Sequence, residues 1–371
     1  MHAGGARRPP ARVYLDVTDA CQLRCRHCCT SSGAPRADEL TFPEILRVID
    51  QVAAMGVGSL VVSGGEPMLR PELPQVLAHA RDRGLAVTLL TNGLMVDRSA
   101  ARMLSGMKTR VKISLDGATR ETHEALRGAG TYHPALEALS NLRAAGAEGL
   151  AVHFTVHRRN ASELLRLPAL MSSIGVRNLV VGVMKPAGRA RENADLLVPP
   201  SMVPYIRMQI ETLGRNPGLA LLKFTDHCTG AFGCPATCSK FGVTASGRVT
   251  TCAFFGNELL GENVRDFPLG TLWERQAARA SVFVAGERCA ACPDMPATGG
   301  GCRARALYYH GDLNAPDPYC CAKREHGLFL DRHARRPAHA APGRAAKGGK
   351  KYAFGPCAGE TVGLRSKNAD A

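Results

Sequence analysis

One plan repeats six times between Val13 and Met184: a short, mostly apolar run, an amphipathic stretch, then a glycine. The runs are Val13–Val17, Ser59–Ser63, Ala86–Thr91, Arg110–Leu115, Leu150–Val156 and Asn178–Met184. Short, β-branched and nearly all apolar, they have the character strands acquire when helices cover a parallel sheet. Thr41-Phe42-Pro43-Glu44 reads as a capping box with a proline presetting the first turn. Ile45, Val48, Ile49 and Val52 then share one face, and Gly56 ends the helix. Asn160 with Glu163 offers a second capping box, and Gly84, Gly146 and Gly175 each stop a helix just before a strand. Six βα units in series predict a parallel α/β architecture. Periodicity alone leaves an open barrel and a doubly wound sheet both standing.

The texture changes after about residue 200. A helical stretch, Pro200–Leu213, gives way to glycine- and cysteine-rich sequence, and Cys228 to Cys321 holds nine of the chain's fourteen cysteines. That density points to a small module organised by metal rather than by a large apolar core. From about Arg332, Ala, Gly, Pro and Lys dominate and disorder is expected, with Cys357 a stray thiol. Much of the +15 net charge sits there, in Arg332, Arg335, Arg336, Arg344, Lys347, Lys350 and Lys351. The preferred reading is a solvated tail. Nucleic-acid binding competes with it, but the segment lacks interleaved aromatics and any named motif. With 45% hydrophobic residues the 371-residue chain is no disordered polymer, yet no apolar run approaches the roughly 20 residues that span a bilayer. The basic N-terminus (Arg7, Arg8, Arg12) is not followed by an apolar signal core.

Without a secretion signal, fourteen cysteines are expected to serve metal or redox chemistry rather than disulfides. Three stand together after the first strand: Cys21-Gln22-Leu23-Arg24-Cys25-Arg26-His27-Cys28. Three close thiolates can hold three irons of a four-iron cluster and leave the fourth open for a ligand. Spacing alone also permits zinc or a structural cluster, with His27 or Cys29 as fourth ligand.

The CxxxCxxC loop resembles the signature of the radical S-adenosylmethionine (radical SAM) superfamily, and the likeness extends over roughly residues 12–190. Ser63-Gly64-Gly65-Glu66-Pro67 is similar to that family's GGE motif, which grips the amino group of the methionine moiety. The resemblance implies that Thr91 and Asn92, after the third strand, also belong to the cofactor site. It places Ser114 and Asp116 near the cofactor's carboxylate and ribose, with Arg127 pairing with the carboxylate. Thr155, in the loop after the fifth strand, and Gly188 and Arg189, after the sixth, fall on the adenosine side. Cys29 departs from the pattern, standing where relatives carry an aromatic, and reads as a buried neighbour. A physical check is positional: each motif lies just past the C-terminal end of an expected strand, where parallel α/β folds bind ligands. The implied fold is a partial (β/α)6 TIM-like barrel.

The second constellation resembles the SPASM extension, found on radical SAM enzymes that act on peptides and some small molecules, which normally carries two auxiliary four-iron clusters. Phe241–Cys252 reads as a hairpin turning at Ser246-Gly247, and Cys289-Ala290-Ala291-Cys292 as a metal-wrapping pair. By resemblance Cys228, Cys234, Cys252 and Cys302 match the first auxiliary cluster, and Cys289, Cys292 and Cys320 the second. Thr298 stands where the family has a further cysteine, so one or two auxiliary clusters are expected, with Cys321 or Cys238 as substitutes. A zinc site at Cys289 and Cys292 is the competing reading. Cys238, outside the matched set, is also a candidate hydrogen donor to a substrate radical; a buried small hydrophobe is the plainer reading.

The expected division is an N-terminal extension (1–12), a radical SAM core (13–200), a linker helix region (201–227), a SPASM domain (228–330) and a basic tail (331–371). The implied reaction is reductive cleavage of S-adenosylmethionine (SAM) at a [4Fe–4S] cluster with an open iron. The resulting 5′-deoxyadenosyl radical then takes a hydrogen atom from the substrate. A ribosomally made peptide undergoing crosslinking or oxidation is the first expectation. Barely a dozen residues precede the first strand, so a leader-peptide-binding function is assigned to a separate protein. A sugar or aminocyclitol dehydrogenase or epimerase is the alternative. An iron–sulfur electron carrier or scaffold is the non-enzymatic rival, and it leaves the GGEP and SLDG loops unexplained. A flavodoxin or ferredoxin donor and a reducing, cytoplasmic setting complete the expectation.

Overall fold

A computed structural model describes residues 8–225, 240–255, 261–280, 287–293 and 300–325. Six strands fall where the apolar runs lie: β1 (Arg12–Asp16), β2 (Ser59–Ser63), β3 (Ala86–Thr91), β4 (Arg110–Ser114), β5 (Ala151–Val156) and β6 (Asn178–Val183). Each is parallel to the next, with Val13 beside Leu60, Leu60 beside Val87, Leu89 beside Val111, and Ile113 and Leu179 flanking Val152.

The sheet does not stop there. β7 (Leu221–Phe224) adds parallel to β6, and β8 (Lys240–Val243) lies parallel to β1 on its outer side, carrying β9 (Val249–Thr250) antiparallel. The expected hairpin therefore exists, turning at Gly247 with φ +83°, but it extends the main sheet rather than opening a separate module. Strands thus continue through segments that composition assigned to the linker and to the cysteine-rich domain.

The sheet is rolled. Flat, it would hold β7 and β1 six strand spacings apart, about 29 Å. Instead Lys223 on β7 is within electrostatic reach of Arg12 and Tyr14 on β1 and Lys240 on β8. An open barrel results, with helices outside: α1 (Phe42–Ala54), α2 (Leu73–Asp82), α3 (Arg98–Gly106), α4 (Arg120–Arg127), α5 (Tyr132–Ala144) and α6 (Leu167–Ile174). Val13, Leu15, Ile45, Ile49, Leu60, Val111 and Phe154 are fully buried between sheet and helices. Each stabilises the fold by roughly 1.5–3 kcal/mol.

The two capping boxes fare differently. At α1 the Glu44 carboxylate accepts from the Thr41 N–H at 2.7 Å and also meets the Arg265 guanidinium, pinning a later loop to the barrel. At Asn160 the side chain makes no cap. Its amide donates to the Asp116 and Thr155 carbonyls, both at 2.9 Å, and the following segment is a 3-10 turn before α6. Burial at the barrel rim takes Asn160 away from helix capping.

Beyond β6 come α7 (Arg189–Glu192), α8 (Val203–Leu213) and α9 (Leu269–Ala280), which dock on the barrel. The Trp273 indole donates to the Arg8 carbonyl at 3.1 Å and stacks edgewise on Phe241. The tail with Cys357, together with Cys228, Cys234, Cys238 and Thr298, lies outside the described residues. Among the described residues no helix is long and apolar enough to cross a membrane.

Candidate active site

The cysteine loop leaves β1 at the C-terminal rim and is fastened on every side. Cys21 N–H donates to the Gly33 carbonyl at 2.8 Å, Arg26 N–H to Leu126 at 2.9 Å, and Cys28 N–H to Cys25 at 3.2 Å. From β6, Arg189 clamps it: its N–H reaches the Cys28 carbonyl (3.0 Å), Nε the Cys25 carbonyl (3.1 Å) and Nη1 the Ser32 carbonyl (2.8 Å). Gly188, with φ +54°, makes this approach possible, because a Cβ there would stand 2.5 Å from the Cys28 carbonyl oxygen. Gly188 and Arg189 are therefore bracing elements of the cysteine loop.

The GGEP loop is built in a similar way. A Cβ on Gly64 would meet the Thr18 carbonyl oxygen at 2.2 Å, and one on Gly65 the Ala20 carbonyl oxygen at 2.2 Å. The glycines lie flat on the chain leading to Cys21, with Gly65 N–H donating to Thr18 and Glu66 N–H to Ala20, both at 2.7 Å. Pro67 opens a short 3-10 turn. Glu66 is 1% exposed, and its carboxylate accepts from Thr91 Oγ1 (2.7 Å), Asn92 N–H (2.8 Å) and Met68 N–H (3.0 Å). Those bonds tie the second rim loop to the third.

Asp116 is the hub of the opposite side. Its carboxylate, 0% exposed, accepts from Arg127 Nε at 2.5 Å and Thr155 N–H at 2.7 Å, while His27 Nε2 stands 3.4 Å away. Burial pushes its carboxyl up, but Arg127, His27, His123 and the Thr155 N–H outweigh this and hold it below the usual carboxylate range. Asp116 thus acts by holding Arg127 and the start of the β5 loop. Arg127 runs alongside the cysteine loop, with its carbonyl 4.0 Å from Cys25 Sγ. Ser114 ends β4 beside this hub.

Four histidines surround the hub and are uncharged at neutral pH. Burial depresses His27 to about 3, and His123, His153 and His157 each to about 4. His27, the alternative metal ligand on spacing, turns Nε2 towards Asp116 and Arg127. Cys29, half-buried beside the loop, has its thiol pushed far above the ordinary range by desolvation and by Cys28 and Asp16. Sequence reasoning did not single out His123, and it read Asn160 and Glu163 as a helix cap rather than as rim braces. Glu163 accepts from Ala118 N–H at 2.6 Å and Thr122 Oγ1 at 2.7 Å, bracing the β4 loop.

Does this rim suit an iron–sulfur cluster and a sulfonium amino acid? Three soft thiols within electrostatic reach of one another are the donor set for iron. Cys28 is the most easily ionised: burial opposes this, but the Thr30 hydroxyl, the Thr30 and Ser32 N–H groups and Arg189 together lower it. No group of three or more Cys, His, Asp or Glu side chains among the described residues is arranged round a single ion. Thiolates bonded to separate irons of a cube stand wider apart than those round one zinc. Asn92 supplies a buried amide nitrogen without a partner, the kind of donor a carboxylate ligand accepts from. The donors fit.

Residues 15–167 match the sequence family described as the radical SAM superfamily. The cysteine loop and the GGEP loop thus lie in a radical SAM domain. Its cofactors are accordingly SAM and a [4Fe–4S] cluster. Three curated relatives align along most of its length. Mycofactocin maturase MftC of Mycobacterium tuberculosis is 29% identical, covering 88% of this chain and 87% of that protein. AdoMet-dependent heme synthase of Methanosarcina barkeri is 27% identical, covering 84% and 96%. PqqA peptide cyclase of Granulibacter bethesdensis is 26% identical, covering 86% and 90%. Among solved structures, Streptococcus suis SuiB bound to the precursor peptide SuiA shares the fold at a TM-score of 0.71 and 15% identity, over 85% of this chain and 76% of that one.

Within this radical SAM rim, residues from four loops and two strand ends converge. Cys21, Cys25 and Cys28 come from the first loop, Glu66 from the second, Asn92 from the third and Asp116 from the fourth, with Thr91 at the end of β3 and Thr155 near the end of β5. Gly188 and Arg189 brace the first of these from behind.

The C-terminal cysteines gather in part. Cys302 is buried in a small apolar cluster with Phe255 and Ala304, and Cys252 packs against it. Cys292 N–H donates to the Cys289 carbonyl in a tight turn at 3.0 Å. Asp317 ties Cys302 to the Cys320 segment: its Oδ2 accepts from Cys302 N–H at 2.7 Å and its carbonyl from Cys320 N–H at 3.0 Å. The same carboxylate pairs bidentately with Arg305, both side chains wholly buried.

Proposed function

We propose that this protein is a maturase that acts on a ribosomally made precursor peptide, abstracting hydrogen from it on the way to a crosslink or other oxidation. The observation that carries the reading is the cysteine loop. Three thiols sit on a rim segment past the C-terminal end of β1 whose backbone is locked by Arg189, Gly188 and the GGEP loop. Cys21, Cys25 and Cys28 would hold the cluster, which with three protein ligands would leave one iron for SAM. When bound, the cluster and SAM supply the reductive cleavage that yields methionine and a 5′-deoxyadenosyl radical.

The protein's part is geometry. Glu66 fixes the second and third loops relative to each other, so that Asn92 presents its amide nitrogen to the methionine carboxylate. Asp116 holds the Arg127 guanidinium in the buried wall, giving a fixed positive charge beside that carboxylate. Ser114 and Thr155 face the ribose, and the buried, neutral histidines keep the wall dry without adding charge.

The peptide reading is supported by the full-length likeness to MftC and PqqA peptide cyclase. The heme synthase relative is the observation that favours a small-molecule substrate as the second reading. For auxiliary clusters, the packing of Cys252 against Cys302 supports a first site completed by Cys228 and Cys234. A second, at Cys289, Cys292 and Cys320, is proposed on the tight Cys289–Cys292 turn, with Cys320 held by its N–H bond to the Asp317 carbonyl. An electron donor of flavodoxin or ferredoxin type and a reducing compartment belong to the same proposal.

Anaerobic reconstitution with SAM and dithionite tests it. 5′-Deoxyadenosine should form, Cys25→Ala should abolish it, and a precursor peptide encoded beside the gene should change mass. Formation of 5′-deoxyadenosine with a tetrapyrrole but with no such peptide turns the assignment to the small-molecule reading; none at all refutes it.

A further inference from the structure

Strand alternation sends one face of each barrel strand into the helices and the other into the lumen. Val13 and Leu15 of β1, Val111 and Ile113 of β4, Val152 and Phe154 of β5 and Leu222 of β7 belong to the continuous apolar core. Their neighbours therefore line the lumen: Arg12 and Tyr14, Lys112, His153 and Lys223. Lys240 on β8 lies in register beside Arg12. The half of the lumen away from the cysteine loop is thus walled by cations from four strands.

These groups sense one another. Burial lowers Lys112 to about 8, and the charges acting on it, from Lys223, Arg12, Lys240 and Arg110, are all positive. Lys240 Nζ stands 5.8 Å from the centre of the Tyr14 ring, and Arg12 meets hydroxyls, donating from Nε to Ser59 Oγ at 3.3 Å and hydrogen-bonding the Tyr14 side chain. Among the described residues no carboxylate forms an ion pair with Arg12, Lys112 or Lys223. Asp16 faces the lumen from the far end of β1, but burial and Asp19 push its carboxyl up to about 7, so near neutral pH it answers only part of this charge. Like charges gathered in a half-buried space cost stability, and such costs are sustained where a ligand of opposite charge binds.

We propose that Arg12, Lys112 and Lys223, in the field of Lys240, form an oxyanion site. It takes a carboxylate of the peptide substrate, an Asp or Glu side chain or the free C-terminus, and so sets which residue lies at the cysteine rim. The inference rests on the reading that a peptide enters the barrel.

The test uses the reconstituted holoprotein and three probe peptides measured by calorimetry: acetyl-tetraglutamate amide, acetyl-tetraglycine with a free carboxylate, and acetyl-tetraglutamine amide. At least one of the first two should bind, and which one does identifies the carboxylate's source. The glutamine peptide should not bind. Lys112→Gln with Lys223→Gln should weaken binding at least about tenfold. Without peptide the variant should melt above the parent protein, since repulsion has been removed, and it should gain less stability when the acidic probe is added. Lys112→Met alone provides a milder variant with the same expected directions. Equal binding of acidic and amide probes, or undiminished binding by the variants, overturns the site. The parent protein separates this inference from its premise. SAM cleavage without acidic-peptide binding refutes the site alone, whereas acidic-peptide binding without SAM cleavage refutes the proposed function alone.

Discussion

Asp116→Asn is the substitution that most directly probes how the rim is built. It keeps the shape of the side chain and removes the charge that faces Arg127 Nε at 2.5 Å. Arg127 is 9% exposed and Asp116 wholly buried, so solvent cannot replace the lost partner. Removing one member of a buried pair typically costs about 3–5 kcal/mol, because a desolvated charge is left uncompensated. The Thr155 N–H retains an acceptor in Asn, which argues for the lower half of that range. Anaerobic urea denaturation followed by far-ultraviolet dichroism should read this as a lower midpoint at unchanged slope. Asp116→Asn combined with Arg127→Met should recover much of the loss, since the stranded charge is gone. The double variant should nevertheless bind SAM poorly if Arg127 supplies the positive wall. A single-variant loss below about 1 kcal/mol, or a double variant no more stable than the single, would refute the buried-pair reasoning.

Three further outcomes are expected. Gly188→Ala drives a Cβ to 2.5 Å from the Cys28 carbonyl oxygen in a backbone region with φ +54°. Iron content and 5′-deoxyadenosine formation should fall together, with a stability loss of about 1–3 kcal/mol. Cys302→Ala should remove about four irons per chain while SAM still binds, measured by iron counting and calorimetry; loss of every iron would instead place Cys302 in the shared scaffold. Asp16 has a folded pKa of about 7, above its unfolded value of about 3.9, so the folded state holds the extra proton between those limits. Its contribution is fully retained below about pH 4 and is lost as pH rises to about 7. Denaturation midpoints across that window should fall less in Asp16→Asn than in the parent protein, and identical profiles would contradict the shift.

Most of the barrel was legible locally. The six apolar runs match β1–β6 to within a residue at either end, because strands buried under helices need near-continuous apolar sequence and glycine at helix ends. The rim motifs were legible for the same reason: each follows a strand and carries residue types that turn chemistry alone does not require. Asn160 and Glu163 misled, since an Asn three residues before a Glu has the same spelling whether it caps a helix or hydrogen-bonds across a barrel rim.

What the chain's order of residues determined by itself was the succession of βα units, the three-thiol loop and the concentration of cysteine after residue 228. The fold alone decided that β8 closes onto β1, that Arg189 reaches back to the Cys25 and Cys28 carbonyls, and that Asp116 buries its charge against Arg127. It also gathered Arg12, Lys112 and Lys223 from three distant strands onto one inner wall. Periodicity and capping are neighbour effects within a few residues, whereas these contacts join segments far apart in sequence and exist only once the sheet has rolled.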